Sequence, residues 1–172
     1  MHSLHFRSTS RPVFAETRAF AGVAKAVLFP LRGLPKLWCL RRYLEMEFFM
    51  REHVIHAVEA HLNGLGARDI SASPFHRDIE FVGPIGPPIK GARTVRSVFT
   101  GFFPTIKGIR ITRHIVDGEW CATVSDFDTI FGTIPMIDCF HVVDGQILSI
   151  RVYYDPRPIL EGMSRAAPPP SS

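Results

Sequence analysis

Hydrophobic and polar positions alternate most regularly near the C-terminal end, from Ile137 to Asp155 (IDCFHVVDGQILSIRVYYD). Asp138, Phe140 and Val142 share one face of a first strand. Leu148, Ile150, Val152 and Tyr154 share one face of a second, with Ser149, Arg151, Tyr153 and Asp155 behind them. Asp144-Gly145 marks the turn between the strands. A two-residue turn sets the polar face of one strand beside the apolar face of the other. A three-residue loop, Val143-Asp144-Gly145, restores the match and predicts Asp138 opposite Ile150 and Phe140 opposite Leu148. A carboxylate, Asp138, is then left on an apolar face.

Upstream, the period changes. Leu44, Phe48, Ile55, Val58 and Leu62 recur at helical spacing and predict a helix from about Leu44 to Asn63, stopped by Asn63-Gly64 and Gly66. His61 lies near its apolar face, where a histidine is more often a packed residue than a catalyst. A short strand over about Asp78–Val82 leads to Gly83-Pro84-Ile85-Gly86-Pro87-Pro88. Those prolines cannot serve a ladder, so the stretch is a loop. Val95, Val98, Phe99 and Phe102 predict a second helix over Gly91–Phe103, ended by Pro104. Strands over Lys107–Val116 and Glu119–Phe131 then precede the opening pair. Helix, short strand, helix and four long antiparallel strands make an α+β fold. It is a cone-shaped curved sheet with helices on one face, and the enclosed space is the natural ligand pocket.

The strand over Glu119–Phe131 has two mixed faces. Trp120, Ala122, Val124, Asp126, Asp128 and Ile130 lie on one; Cys121, Thr123, Ser125, Phe127, Thr129 and Phe131 lie on the other. A Gly132-Thr133-Ile134 loop would set Asp128 opposite Asp138. Opposed carboxylates destabilise a sheet unless one holds a proton, and an apolar pocket raises a carboxyl pKa further. Such a pair is equipment for general acid and base chemistry near neutrality. The alternative is that Asp126 and Asp128 face water and Asp138 is bonded to a backbone or tyrosine group. A metal site stays open but has little support, with three acids and no clustered histidines.

Charge narrows the function further. Residues 1–44 hold eight Lys/Arg and one acid, Glu16, of the chain's 20 and 16, so the remainder is net −3 and nucleic acid is not an expected partner. Cys39, Cys121 and Cys139 are too few and too scattered for a disulfide framework, so a reducing, cytoplasmic setting is expected. No run approaches the length of a membrane span. Residues 1–43 read as a basic, mobile extension. A transit role or a membrane-touching segment stays open for them. Residues 161–172 read as a disordered tail.

The element order, PPIKG before the second helix and IDCFHVVDGQI…YYD at the end resemble the SnoaL-like, or nuclear-transport-factor-2-like, superfamily over about Leu44–Leu160. The fold hosts isomerases, dehydratases, cyclases, hydrolases and non-enzymes. The resemblance to ketosteroid isomerases implies an oxyanion-stabilising role for Asp138. Their first-helix tyrosine falls near His61, and their general base falls at Val82 or Gly83, which cannot act. The resemblance to limonene-epoxide hydrolases matches their strand aspartate to Asp128. Their arginine falls at Asp126, their second aspartate at Val152, and their tyrosine and asparagine at Phe81 and Gly83. Both resemblances imply that Asp128 and Asp138 point inward. They also imply a pocket lined by Phe81, Phe102, Ile106, Trp120, Ile130, Ile134, Met136, Phe140, Ile150 and Tyr154, suited to a steroid, terpenoid or polyketide.

The resulting expectation is an isomerase, lyase or epoxide-hydrolase type of enzyme without organic cofactor or metal. Asp128 and Asp138 would be the acid–base pair, Asp126 and His61 would relay or orient, and Tyr154 would donate to substrate oxygen. The competing expectation is a non-catalytic binding or dimerisation module. Its homodimer would form through an outer face carrying Cys121, Phe127, Phe131, Cys139, His141 and Tyr153.

Overall fold

The computed structural model describes residues 35–166. The rest of the expected basic extension and the tail from residue 167 lie outside the described residues. Tertiary contacts divide the chain between Glu45 and Met46. Of the first unit only the start of helix α1 is described; the sheet and the other helices all belong to the second.

Helix α1 runs Pro35–Ala67, longer at both ends than the periodicity predicts. Proline suits a first helical turn, where its missing N–H has no partner to lose. Val54, Ala57, Val58, His61, Leu62 and Leu65 are buried and repeat as one stripe. Leu44 and Phe48, expected on that stripe, are exposed. Gly64 does not stop the helix. Arg68 adopts φ 61°, its N–H donates to Leu65 O at 3.1 Å, and the Asp69 N–H donates to Gly64 O at 2.8 Å. These bonds cap the C-terminus in a Schellman arrangement. A Cβ at Gly64 would lie 2.5 Å from Asp69 O, so glycine is kept there for the close approach of backbone.

Strands β1 (Phe75–Val82), β2 (Ile89–Lys90), β3 (Ile106–Asp117), β4 (Trp120–Thr129), β5 (Gly132–Val143) and β6 (Gln146–Tyr154) form one mixed sheet in the order β2-β1-β6-β5-β4-β3. Only β1 and β6 pair in parallel. Helix α2 (Ala92–Phe102) buries Val95 and Phe99. Pro104 follows in a 3-10 turn, Phe103–Thr105. Helix α3 spans Arg157–Ala166, so ordered structure continues past the expected boundary at Leu160. The architecture is the α+β cone, with the Val54–Leu65 stripe of α1 and helix α2 against the concave face and a core that includes Val58, Leu62, Ile79, Phe99, Phe140 and Ile150.

Two registers differ from expectation, and they decide the site. The β5–β6 turn has two residues, Asp144 (φ 49°) and Gly145 (φ 73°), a left-handed pair that matches strand twist. The face mismatch this creates is cured by a bulge. Val142 pairs with Ile147 and His141 with Ser149, leaving Leu148 as the extra residue. Asp138 therefore faces Val152, and Phe140 faces Ile150. Between β4 and β5, Thr129 pairs with Gly132, so the turn is Ile130-Phe131. The Thr129 hydroxyl donates to Gly132 O at 2.7 Å and accepts the Phe131 N–H at 3.0 Å, while the Ile130 N–H donates to Thr105 O at 2.9 Å. Asp128 is thus opposite Thr133, and Asp138 is opposite Thr123. Cys121, Thr123, Ser125, Phe127 and Thr129 point inward and are buried.

Candidate functional site

Three residues spaced by two on β5, Ile134, Met136 and Asp138, line a cavity of about 100 Å³. Helix α1 adds His61, Leu62 and Leu65 on its buried stripe. Phe99, Phe102 and Thr105 close the side formed by α2 and the 3-10 turn. Ile106, Phe127 and Thr129 come from β3 and β4, Ile150, Val152 and Tyr154 from β6, and Ile159 from α3. Polar atoms are sparse. The chemistry rests on Asp138, His61 and Tyr154, with threonine hydroxyls beside them.

Asp138 is 4 % exposed, and among the described residues its one hydrogen bond comes from Ser125 Oγ at 3.4 Å, which is long and therefore weak. Burial pushes its carboxyl up to about 7, and the Ser125 hydroxyl pulls the other way by less. The group sits near half-protonation at neutral pH. His61 is buried against Phe75 and Phe99, each ring centroid 5.0 Å away, and Phe140 at 6.0 Å. Burial, with the Arg96 charge added, lowers His61 to about 3, so the ring is a neutral imidazole. Its Nδ1 is 3.2 Å from Ser73 Oγ. Burial also raises the phenol of half-buried Tyr154. The cavity thus presents uncharged hydrogen-bonding groups and one titrating carboxyl.

The sequence placed Asp126 and Asp128 in this cavity, and the β4–β5 register turns both away from it. Asp126 pairs with Arg110 at 2.5 Å, and Asp128 accepts from Thr133 Oγ1 at 2.6 Å. Across from Asp138 stand Thr123 and Val152, neither of them a carboxylate. Trp120, also expected inside, stacks on His141 at 4.2 Å on the convex face, and Ile130 is exposed in the turn. Phe81 and Phe140 do point inward but are packed in the core, Phe81 edge-on to Phe99 at 5.0 Å, and do not line the cavity. On the outer face, Cys139, His141 and Tyr153 stand as expected, joined by Trp120 and Ile137. Cys121 and Phe127, assigned to that face, are buried inside, and Phe131 packs against α3 so closely that Gly162 has no room for a Cβ.

Several lining residues escaped the sequence reading. Leu65 was reachable, being seven residues on from Val58. Phe127, Thr129 and Val152 follow directly once the registers are known. Ile159 lies beyond Asp155-Pro156, where ten residues are too few for a convincing helical period. Among the described residues, no group of three or more His, Cys, Asp or Glu side chains is placed to hold a metal ion, and no helix is long and apolar enough to cross a membrane.

Among the described residues, one buried carboxyl faces an apolar cavity inside an open cone, the form of a small pocketed domain. The SnoaL-like domain family model matches residues 58–150, and the chain belongs to that family. Its structure is similar to an LEH-like epoxide hydrolase of M. tuberculosis, with 25% identity and a TM-score of 0.55, over 66% of this chain and 91% of the other. It is also similar to a steroid delta-isomerase of Pseudomonas aeruginosa, with 20% identity and a TM-score of 0.55, over 66% and 90%. An NTF2-like protein of Cytophaga hutchinsonii shares 21% identity with a TM-score of 0.56, over 62% and 94%. No curated protein matches the chain.

Proposed function

We propose that this chain is a small-molecule enzyme that runs general acid–base chemistry on a neutral, lipophilic substrate through Asp138. One observation carries the reading: a carboxyl with a pKa near 7 is held in an apolar cavity with one weak partner. A pKa close to the working pH lets the same group take a proton in one step and return it in the next. With Asp126 and Asp128 outside, Asp138 works without a second carboxylate. His61 and Tyr154 hydrogen-bond the substrate oxygen and steady charge that develops there. The neighbours named as an epoxide hydrolase and a steroid isomerase support isomerisation or epoxide opening as the reaction class. The cavity of about 100 Å³ is tighter than the roughly 150 Å³ that takes up benzene, so it admits part of a ring. A larger molecule would project past the half-exposed Phe102.

The test is a screen of small cyclic ketones and epoxides with wild type and Asp138→Asn. A loss of 10²–10⁴-fold in kcat/KM, with fold and ligand affinity retained, is the expected result. Equal turnover by the two proteins removes Asp138 from the chemistry. A second reading, a binding module without catalysis, draws on the missing partner carboxylate; ligand binding with no turnover by wild type favours it. For assembly, we propose a homodimer through the convex face, where Trp120, Ile137 and Tyr153 are exposed. Light scattering on Trp120→Glu should then read a monomer mass where wild type reads twice that.

A further inference from the structure

The turn at 70–73, between α1 and β1, is buried at its two ends, Ile70 and Ser73, and is tied down more heavily than its length requires. The Ser73 N–H donates to Ile70 O at 3.1 Å, and Ser73 O accepts from the Phe75 N–H at 2.9 Å. Arg96, reaching across from α2, donates from Nη2 to Ser73 O at 2.6 Å and from Nη1 to Ile70 O, with Ser71 O further off at 3.5 Å. Its guanidinium lies 4.8 Å over the Phe75 ring. One planar fork therefore binds the carbonyls at both ends of the turn and stacks on the strand that follows, a geometry lysine cannot copy. The turn presents the Ser73 hydroxyl, itself buried, to His61 Nδ1 and, among the described residues, to no other partner.

We infer that Arg96 and Ser73 are positioning residues that fix the ring of His61 with its proton on Nε2, aimed into the cavity as a donor. If Nδ1 carried the proton, it would donate to Ser73 Oγ, and the serine hydrogen would be left in a buried site without an acceptor. With the proton on Nε2, Ser73 donates to Nδ1 and both groups are satisfied. Nδ1 is then used up, and the Nε2 edge is the hydrogen-bonding edge left to a ring that lines the cavity. The nearby guanidinium opposes a second proton on the same ring. His61 therefore offers one fixed N–H to an oxygen-bearing ligand, and its orientation is set from outside the cavity.

This inference rests on the cavity being the substrate site, but its test needs no substrate. Nitrogen NMR of the histidine rings in the full chain reads the tautomer directly. Wild type should show His61 as a single Nε2–H tautomer from pH 5 to 8. Ser73→Ala should lose that bias by about tenfold, the weight of one buried hydrogen bond. Arg96→Met should do the same, and Arg96→Lys should recover part of it through a single bond to Ser73 O. An Nδ1–H tautomer in wild type overturns the inference, as does an unchanged tautomer in Ser73→Ala. Should Arg96→Met fail to fold, wild type and Ser73→Ala decide the matter. An Nε2–H ring together with full turnover by Asp138→Asn would sink the proposed chemistry and leave this inference standing.

Discussion

Asp138 is a carboxyl that the fold keeps from water while giving it one long hydrogen bond. Its folded pKa of about 7 lies well above the ordinary 3.8, so ionising it in place is costly. The contribution it makes to stability is complete below pH 3.8 and is lost as pH rises through 7. Asp138→Asn keeps the shape and removes the charge. Urea unfolding at pH 8 should therefore find the variant more stable, by up to roughly 4 kcal/mol for a shift of this size. At pH 4 the two proteins should be nearly equal. A variant that is less stable at pH 8 would mean that the carboxylate is satisfied in place. Asp128→Asn is the control. It changes an exposed group bonded to Thr133, and it should move stability by less than about 1 kcal/mol and leave ligand affinity unchanged.

At the scale of elements, the first two helices, β1 and the four long strands were readable from their periods and bounding turn residues, whereas β2, with two residues, and α3, with ten, were too short to read. Asp138 stood out because it interrupts an apolar face. What could not be read was the β4–β5 register. Both faces of β4 are mixed, and its turn is made of Ile130 and Phe131, which carry none of the usual turn residues. That turn is held by Thr129 and by Thr105, and Phe131 is covered by α3, so its reason lies in tertiary contacts. Asp126 and Asp128 moved to the wrong side as one consequence. Gly64 shows the opposite error: a glycine read as a helix stop is instead a point of close approach. Gly64→Ala should raise helix propensity yet destabilise the protein by about 1–3 kcal/mol, since its Cβ would meet the Asp69 carbonyl. Thermal unfolding checks the sign, and a stabilised variant would show that the cap has room to shift.

For the whole molecule, the two buried groups facing the cavity make opposite demands on pH. His61 is held neutral with a folded pKa of about 3 against the ordinary 6.5. Between those values the unfolded chain binds the extra proton, so this group makes stability fall as pH drops below 6.5. Asp138 holds its proton when folded and releases it when unfolded between 3.8 and about 7, so it makes stability fall as pH rises. Across roughly pH 4 to 6.5 the two slopes, each about 1.4 kcal/mol per pH unit, cancel. Single variants should uncover them. The stability of Asp138→Asn minus that of wild type should climb by about that slope from pH 4 to 6.5 and level off just above pH 7. For His61→Leu the same difference should fall across the window, because only the Asp138 slope remains. The double variant should follow wild type in shape, whatever its absolute stability. Using differences removes the other titrating groups, including His114, whose burial also lowers its pKa and whose slope all four proteins share. A flat difference for Asp138→Asn would show that the carboxyl ionises alike folded and unfolded, and the acid–base reading of the cavity would lose its support.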